Sequence, residues 1–107
     1  MGKPAPSLPD QAYQVVEANL TAVGQATTAA AFTGNFMLWL TGTFTATVVI
    51  EASFDGGATF HQLTSLGSAI SFTARAVEVL RVPEAGVLVR ARCSAFTSGT
   101  IGVRISQ

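Results

Sequence analysis

The sequence predicts an all-β protein, an antiparallel β-sandwich of jelly-roll or immunoglobulin-like type with about eight strands. Three observations predict it. Residues alternate between two faces with period two, as where Phe44, Ala46, Val48 and Ile50 interleave with Thr45, Thr47, Val49 and Glu51. Short turn signals punctuate the chain at Thr41-Gly42-Thr43, Asp55-Gly56-Gly57, Leu66-Gly67, Pro83-Glu84-Ala85-Gly86 and Thr97-Ser98-Gly99. No segment sustains the 3.6-residue period of a helix, and 107 residues make one domain.

Residues 1–11 are read as an extended N-terminal arm and residues 12–107 as the sandwich. Pro4, Pro6 and Pro9 fix φ and remove backbone donors, which keeps the arm out of helices and central strands. Such an arm is expected to lie along a neighbouring subunit. The first strand is expected at residues 13–18. Residues 21–33 are small and weakly patterned, a loop followed by a strand near 27–32. In residues 35–40, Phe36, Leu38 and Leu40 share one face and Met37 and Trp39 the other. This strand and residues 44–51 are expected to form an antiparallel hairpin through Thr41-Gly42-Thr43. Further strands are expected at 60–63, 70–73, 76–81, 87–94 and 101–106, with Pro83 ending the segment before it.

Charged residues are 11% of the chain, hydrophobic residues 49%, and the net charge is zero, whereas an average soluble domain is roughly 25% charged. The surface is therefore built from Thr, Ser, Gly and Ala, with little charge to keep copies apart. That composition suits a part made to meet other protein. Six Lys and Arg, of which only Arg90 and Arg92 are close in sequence, argue against nucleic acid as a partner. No apolar run approaches the ~20 residues of a membrane helix, and the start of the chain lacks a signal-type apolar stretch. The expected site of synthesis is a cytoplasm, with exit by assembly or lysis. Cys93 is the only cysteine, read as a buried apolar filler that makes no internal disulfide. Asn19-Leu20-Thr21 matches the glycosylation sequon, which without a secretory signal is read as chance.

No catalytic, metal or cofactor site is expected. His61 is the only histidine, and the acids are Asp10, Glu17, Glu51, Asp55, Glu78 and Glu84. Glu51 and Asp55 flank one turn, but a carboxylate pair needs a cleft, and a small sandwich with short loops offers little.

The string Ser53-Phe54-Asp55-Gly56-Gly57-Ala58-Thr59-Phe60 has the residues of a tight hairpin. Its glycines supply positive φ, Asp55 can accept backbone N–H groups across the turn, and Phe54 and Phe60 are expected to pack beside it. The string resembles the Asp-box of sialidase-type propellers, a fold-stabilising hairpin away from the active site, and so implies a turn and no activity. A wider resemblance runs from Gly34 to Gln107. The phrases GNFMLWLTGTFTATVVIEASFDGGATF and VLRVPEAGVLVRARCSAFTSGTIGVRIS resemble small virion proteins of tailed bacteriophages, with a TGTF hairpin early and a TSGT hairpin at the close.

That resemblance implies a non-enzymatic virion structural protein. The leading expectation is a capsid decoration or cement protein that binds the major capsid protein as a homo-oligomer, a trimer being favoured. The alternative is a tail or head-fibre component that binds carbohydrate on a host surface. The expected contact residues are Lys3, Pro4, Pro6 and Pro9 in the arm, with Trp39, Arg90 and Arg92. Trp39, Met37 and Leu88, opposite the regular apolar rows, are candidates for a subunit interface or a second core layer. Arg90 and Arg92 share one side of a strand and Arg104 is expected on its neighbour. Cross-strand pairs with Glu51 and Glu78 compete there with contact to an acidic capsid surface.

Overall fold

The computed structural model describes residues 14–107. The arm read at residues 1–11, with Lys3, Pro4, Pro6 and Pro9, lies outside the described residues. The strands are β1 (Val15–Leu20), β2 (Ala30–Ala31), β3 (Gly34–Thr41), β4 (Phe44–Ser53), β5 (His61–Gln62), β6 (Thr64–Ser65), β7 (Ser68–Ala69), β8 (Ser71–Phe72), β9 (Ala76–Val82), β10 (Leu88–Gly99) and β11 (Ile101–Ser106). All pairings are antiparallel. The first strand sits two residues later than expected, at 15–20, and the strand expected near 27–32 is reduced to Ala30–Ala31. Upstream of it, Gly24, Gln25 and Thr27 still bond the backbone of Ala91 and Cys93, so this loop seals the edge of β10.

One sheet has the order β1-β11-β3-β9, and the other β2-β10-β4-β5 with β8 also on β4. The pairing is nested. The first strand pairs with the last, the second with the one before it, β3 with β9, and β4 with the short strands at the chain's midpoint. A long hairpin rolled up on itself gives this order, so of the two sandwich types expected the topology is the jelly roll.

Nesting overturns two expected hairpins. Strands β3 and β4 do not pair across Thr41-Gly42-Thr43, and β10 and β11 do not pair across Gly99-Thr100; each pair is divided between the sheets. The physical reason is burial. Phe36, Leu38 and Leu40 on β3 and Val48, Ile50 and Ala52 on β4 are all buried, and they cover one another when the strands face each other across the sandwich. The two crossings touch, with Thr100 N donating to Thr43 O at 3.3 Å. Gly42 has φ +98° and Gly99 φ +99°. A Cβ at Gly42 would strike the carbonyl of Thr100, and one at Gly99 the backbone of Thr43 and Phe44. Strand β10 reaches this corner through irregularities between Cys93 and Ala95 and between Phe96 and Ser98, which let a long strand bend.

The core lies between the sheets. Leu20, Phe36, Leu38, Leu40, Ile101, Val103 and Ile105 come from one side, and Val48, Ile50, Val89, Ala91 and Cys93 from the other. Phe32 closes one end, its ring 5.2 Å from that of Phe36.

Candidate docking surface

The period-two alternation that sends Phe36, Leu38 and Leu40 into the core sends Met37 and Trp39 out of it. The outward positions of the four-stranded sheet are set by register. Val15, Ser106, Met37 and Val79 form one row; Glu17, Arg104, Trp39 and Val77 form the next. Trp39 is 48% exposed, Val77 64% and Val79 58%. These side chains make an apolar patch centred on β3 and β9. A shallow depression lies beside it, lined by Glu17, Asn19, Trp39, Thr41, Gly102 and Arg104. The Arg104–Glu17 contact at 3.6 Å is a solvent-exposed pair, of a kind worth at most about 1 kcal/mol.

The expected second core layer is not there: Trp39 and Met37 face outward, and Leu88 is half-buried on the other sheet. Sequence reasoning missed Val15, Val77 and Val79. The signal was present in β9, where valines at 77 and 79 interleave with Ala76 and Leu80, so both faces of one strand are apolar. Strand β9 is an edge strand, paired only with β3. Glu78 faces inward at this edge and is exposed, a placement that discourages another strand from adding there.

Arg90 and Arg92 are on the opposite sheet, so the structure does not bring them to Trp39. They converge on Glu51. Arg90 Nε donates to Glu51 Oε1 at 2.9 Å and Arg92 Nε to Oε2 at 2.7 Å. Arg90 also lies over the Phe60 ring, 3.7 Å from its centroid. Burial pushes the Glu51 carboxyl up, but the hydrogen bonds from Arg92 and Arg90 and their charges outweigh it and leave the group below its ordinary value. The cross-strand pairing expected with Glu51 is therefore present. Arg104 is not its neighbour; it belongs to the other sheet and meets Glu17, and Glu78 takes no part in an ion pair among the described residues.

The turn between β4 and β5 is self-contained. Ser53 Oγ donates to Asp55 Oδ1 at 2.7 Å and accepts from Gly57 N at 2.8 Å. Thr59 gives Asp55 its backbone N–H at 3.0 Å and its hydroxyl at 2.6 Å. The Thr59 hydroxyl and backbone bonds, with Ser53, hold the Asp55 carboxyl well below the usual range. Phe60 packs under Arg90, but Phe54 does not pack beside the turn: it is exposed. Asp55 and Glu51 are thus committed to different partners and form no acid pair.

Among the described residues no group of three His, Cys, Asp or Glu can hold a metal ion. Cys93 is fully buried, its thiol is pushed up by that burial, and its Sγ donates to the Ala95 carbonyl at 3.3 Å. A protonated thiol in the core is filler, not a nucleophile. No family model matches the chain, and no curated protein or solved structure is significantly similar to it.

Proposed function

We propose that this chain is a non-enzymatic structural part of a phage virion, a capsid decoration protein that docks on the shell as an oligomer. The observation that carries the reading is the outward patch of Trp39, Met37, Val77 and Val79 on a chain with only 11% charged residues. Large apolar side chains grouped on one face of a small domain mark protein contacts, and tryptophan is among the residues that most often anchor them. The jelly roll is frequent in viral particles, an argument from fold analogy. Arg90 and Arg92 drop out of the contact set, since both are engaged by Glu51.

The test is co-sedimentation with shells of the major capsid protein from the same source as the chain. The intact protein is expected to pellet with shells, and a Trp39→Ser, Val79→Ser double variant to bind at least tenfold more weakly with unchanged circular dichroism. An intact chain that neither pellets with shells nor occurs in purified particles overturns the reading.

The depression beside Trp39 favours one second reading, a carbohydrate-binding module of a fibre or tail. An exposed indole with Asn19, Glu17 and Arg104 at its rim is the combination that stacks on a sugar ring and bonds its hydroxyls. A glycan array separates the two: hits lost in Trp39→Ser support this reading, and an empty array removes it.

A further inference from the structure

The four-stranded sheet ends at β9, a strand of 7 residues paired on one side only, with β3. Its other side presents the N–H and C=O of every second residue. Among the described residues, no other strand or loop bonds this backbone. A groove runs beside the free edge. Glu78 and Leu80 of β9 line it, together with Ser65, Ala69 and Phe72 from the short strands β6, β7 and β8. Leu80 and Phe72 are half-buried and pack on the core, so the groove is apolar where it is deepest. Glu78 is the one charged residue that lines it, and it makes no ion pair among the described residues. We propose that the groove is a strand-addition site. Its occupant is an extended segment of another protein, which pairs with the edge of β9 and sets a Lys or Arg against Glu78.

The backbone calls for an extended occupant. A free strand edge is satisfied by another strand, whose main chain supplies the hydrogen bonds while alternate side chains reach into the groove. Charge decides which strand. An inward carboxylate at an edge penalises any strand that covers it without a partner. A basic side chain opposite removes that penalty and adds a charge-assisted bond, so the same residue repels most strands and selects one kind. A second copy of the chain fits less well. Two β9 edges paired antiparallel about their centres bring both Glu78 carboxylates together on one face, and like charges across a ladder are destabilising. The free edge of β9 carries this inference, which is independent of the virion reading and of the outward patch around Trp39.

The ladder along β9 is about 23 Å long, the length of seven extended residues. The experiment therefore pans a library of random seven-residue peptides over the intact, immobilised chain. The selected peptides are expected to share one Lys or Arg, with apolar or β-branched residues at alternate positions from it. The tightest is expected to bind a Glu78→Lys variant about tenfold or more weakly. Glu78 is exposed, so circular dichroism of the variant should be unchanged. Panning over Glu78→Lys is expected to replace the basic residue by Asp or Glu. Methylating alternate amide nitrogens of the peptide should abolish binding in one phase and spare it in the other, because only every second N–H faces β9. No enriched peptide, enrichment without a basic residue, or a basic preference that survives in Glu78→Lys overturns the proposal. So does a dimer of the intact chain, seen by sedimentation velocity, that the selected peptide dissociates, since the edge then belongs to a second copy.

Discussion

Leu66 is the residue most at odds with its place. It sits at the tip of the β6–β7 hairpin with φ +53°, followed by Gly67 at φ +83°, and it is fully exposed. Positive φ at both central residues of a two-residue loop is the type I′ pattern, which favours Asn-Gly. Leucine there carries the cost of a left-handed backbone and recovers nothing from burial. Leu66→Asn is expected to raise stability by about 0.5–1 kcal/mol, seen as a Tm increase of a few degrees in a thermal melt. Among the described residues, Glu51 and Asp55 carry acid sensitivity. The folded-state pKa values of Glu51 and Asp55 are both lowered. The stability they contribute is complete above the ordinary carboxylate range, about pH 4, and is lost as pH falls through the lowered values. Thermal melts from neutral to strongly acidic pH are expected to show Tm declining below that range. Glu51→Gln and Asp55→Asn should each flatten the decline, and Glu51→Gln should also cost about 1–2 kcal/mol at pH 7 by weakening two charge-assisted bonds.

At the scale of elements, the informative parts are the crossings between sheets. Thr41-Gly42-Thr43 and Thr97-Ser98-Gly99 have turn chemistry, which predicts a hairpin at each. The glycines are needed, but for a different reason: two backbones pack against each other where the chain changes sheets. Gly99→Ala combines positive φ with a backbone clash and is expected to cost about 3 kcal/mol in denaturant unfolding. Gly24→Ala has the same sign of φ, +87°, but no atom within 4 Å of the added carbon. It should lose only about 1 kcal/mol. Equal losses at the two sites would show that the close packing of the crossings contributes nothing.

At the scale of the whole molecule, the sandwich turns two unlike surfaces outward. One carries Trp39 and its valines, the other a carboxylate clamped between two arginines. The arginines of the second are engaged by Glu51, and under the proposed function the first is the docking face. Charge reversal at Arg90 and Arg92, the contact suggested by sequence, should therefore lower stability and leave binding to shells in proportion to folded protein, whereas Trp39→Ser, Val79→Ser should do the opposite. That inversion follows from topology. Arg92 and Trp39 belong to different sheets, and no local pattern in either strand reports which sheet it joins.

The sequence by itself determined that the chain is all-β, where most long strands lie, and, where one face alone is regularly apolar as in Val89, Ala91 and Cys93, which side meets the core. Those properties follow from side-chain alternation, which is local. It also determined the turn at Ser53–Phe60, whose bonds all lie within a few residues. Tertiary structure decided which strands pair. Turn residues mark where a strand stops but not whether the chain returns in the same sheet or crosses to the other, and burial of facing apolar rows settled that choice. The same choice placed Trp39 beside Val77 and Val79 rather than beside Arg90 and Arg92, because neighbours across a ladder are set by pairing between distant parts of the chain.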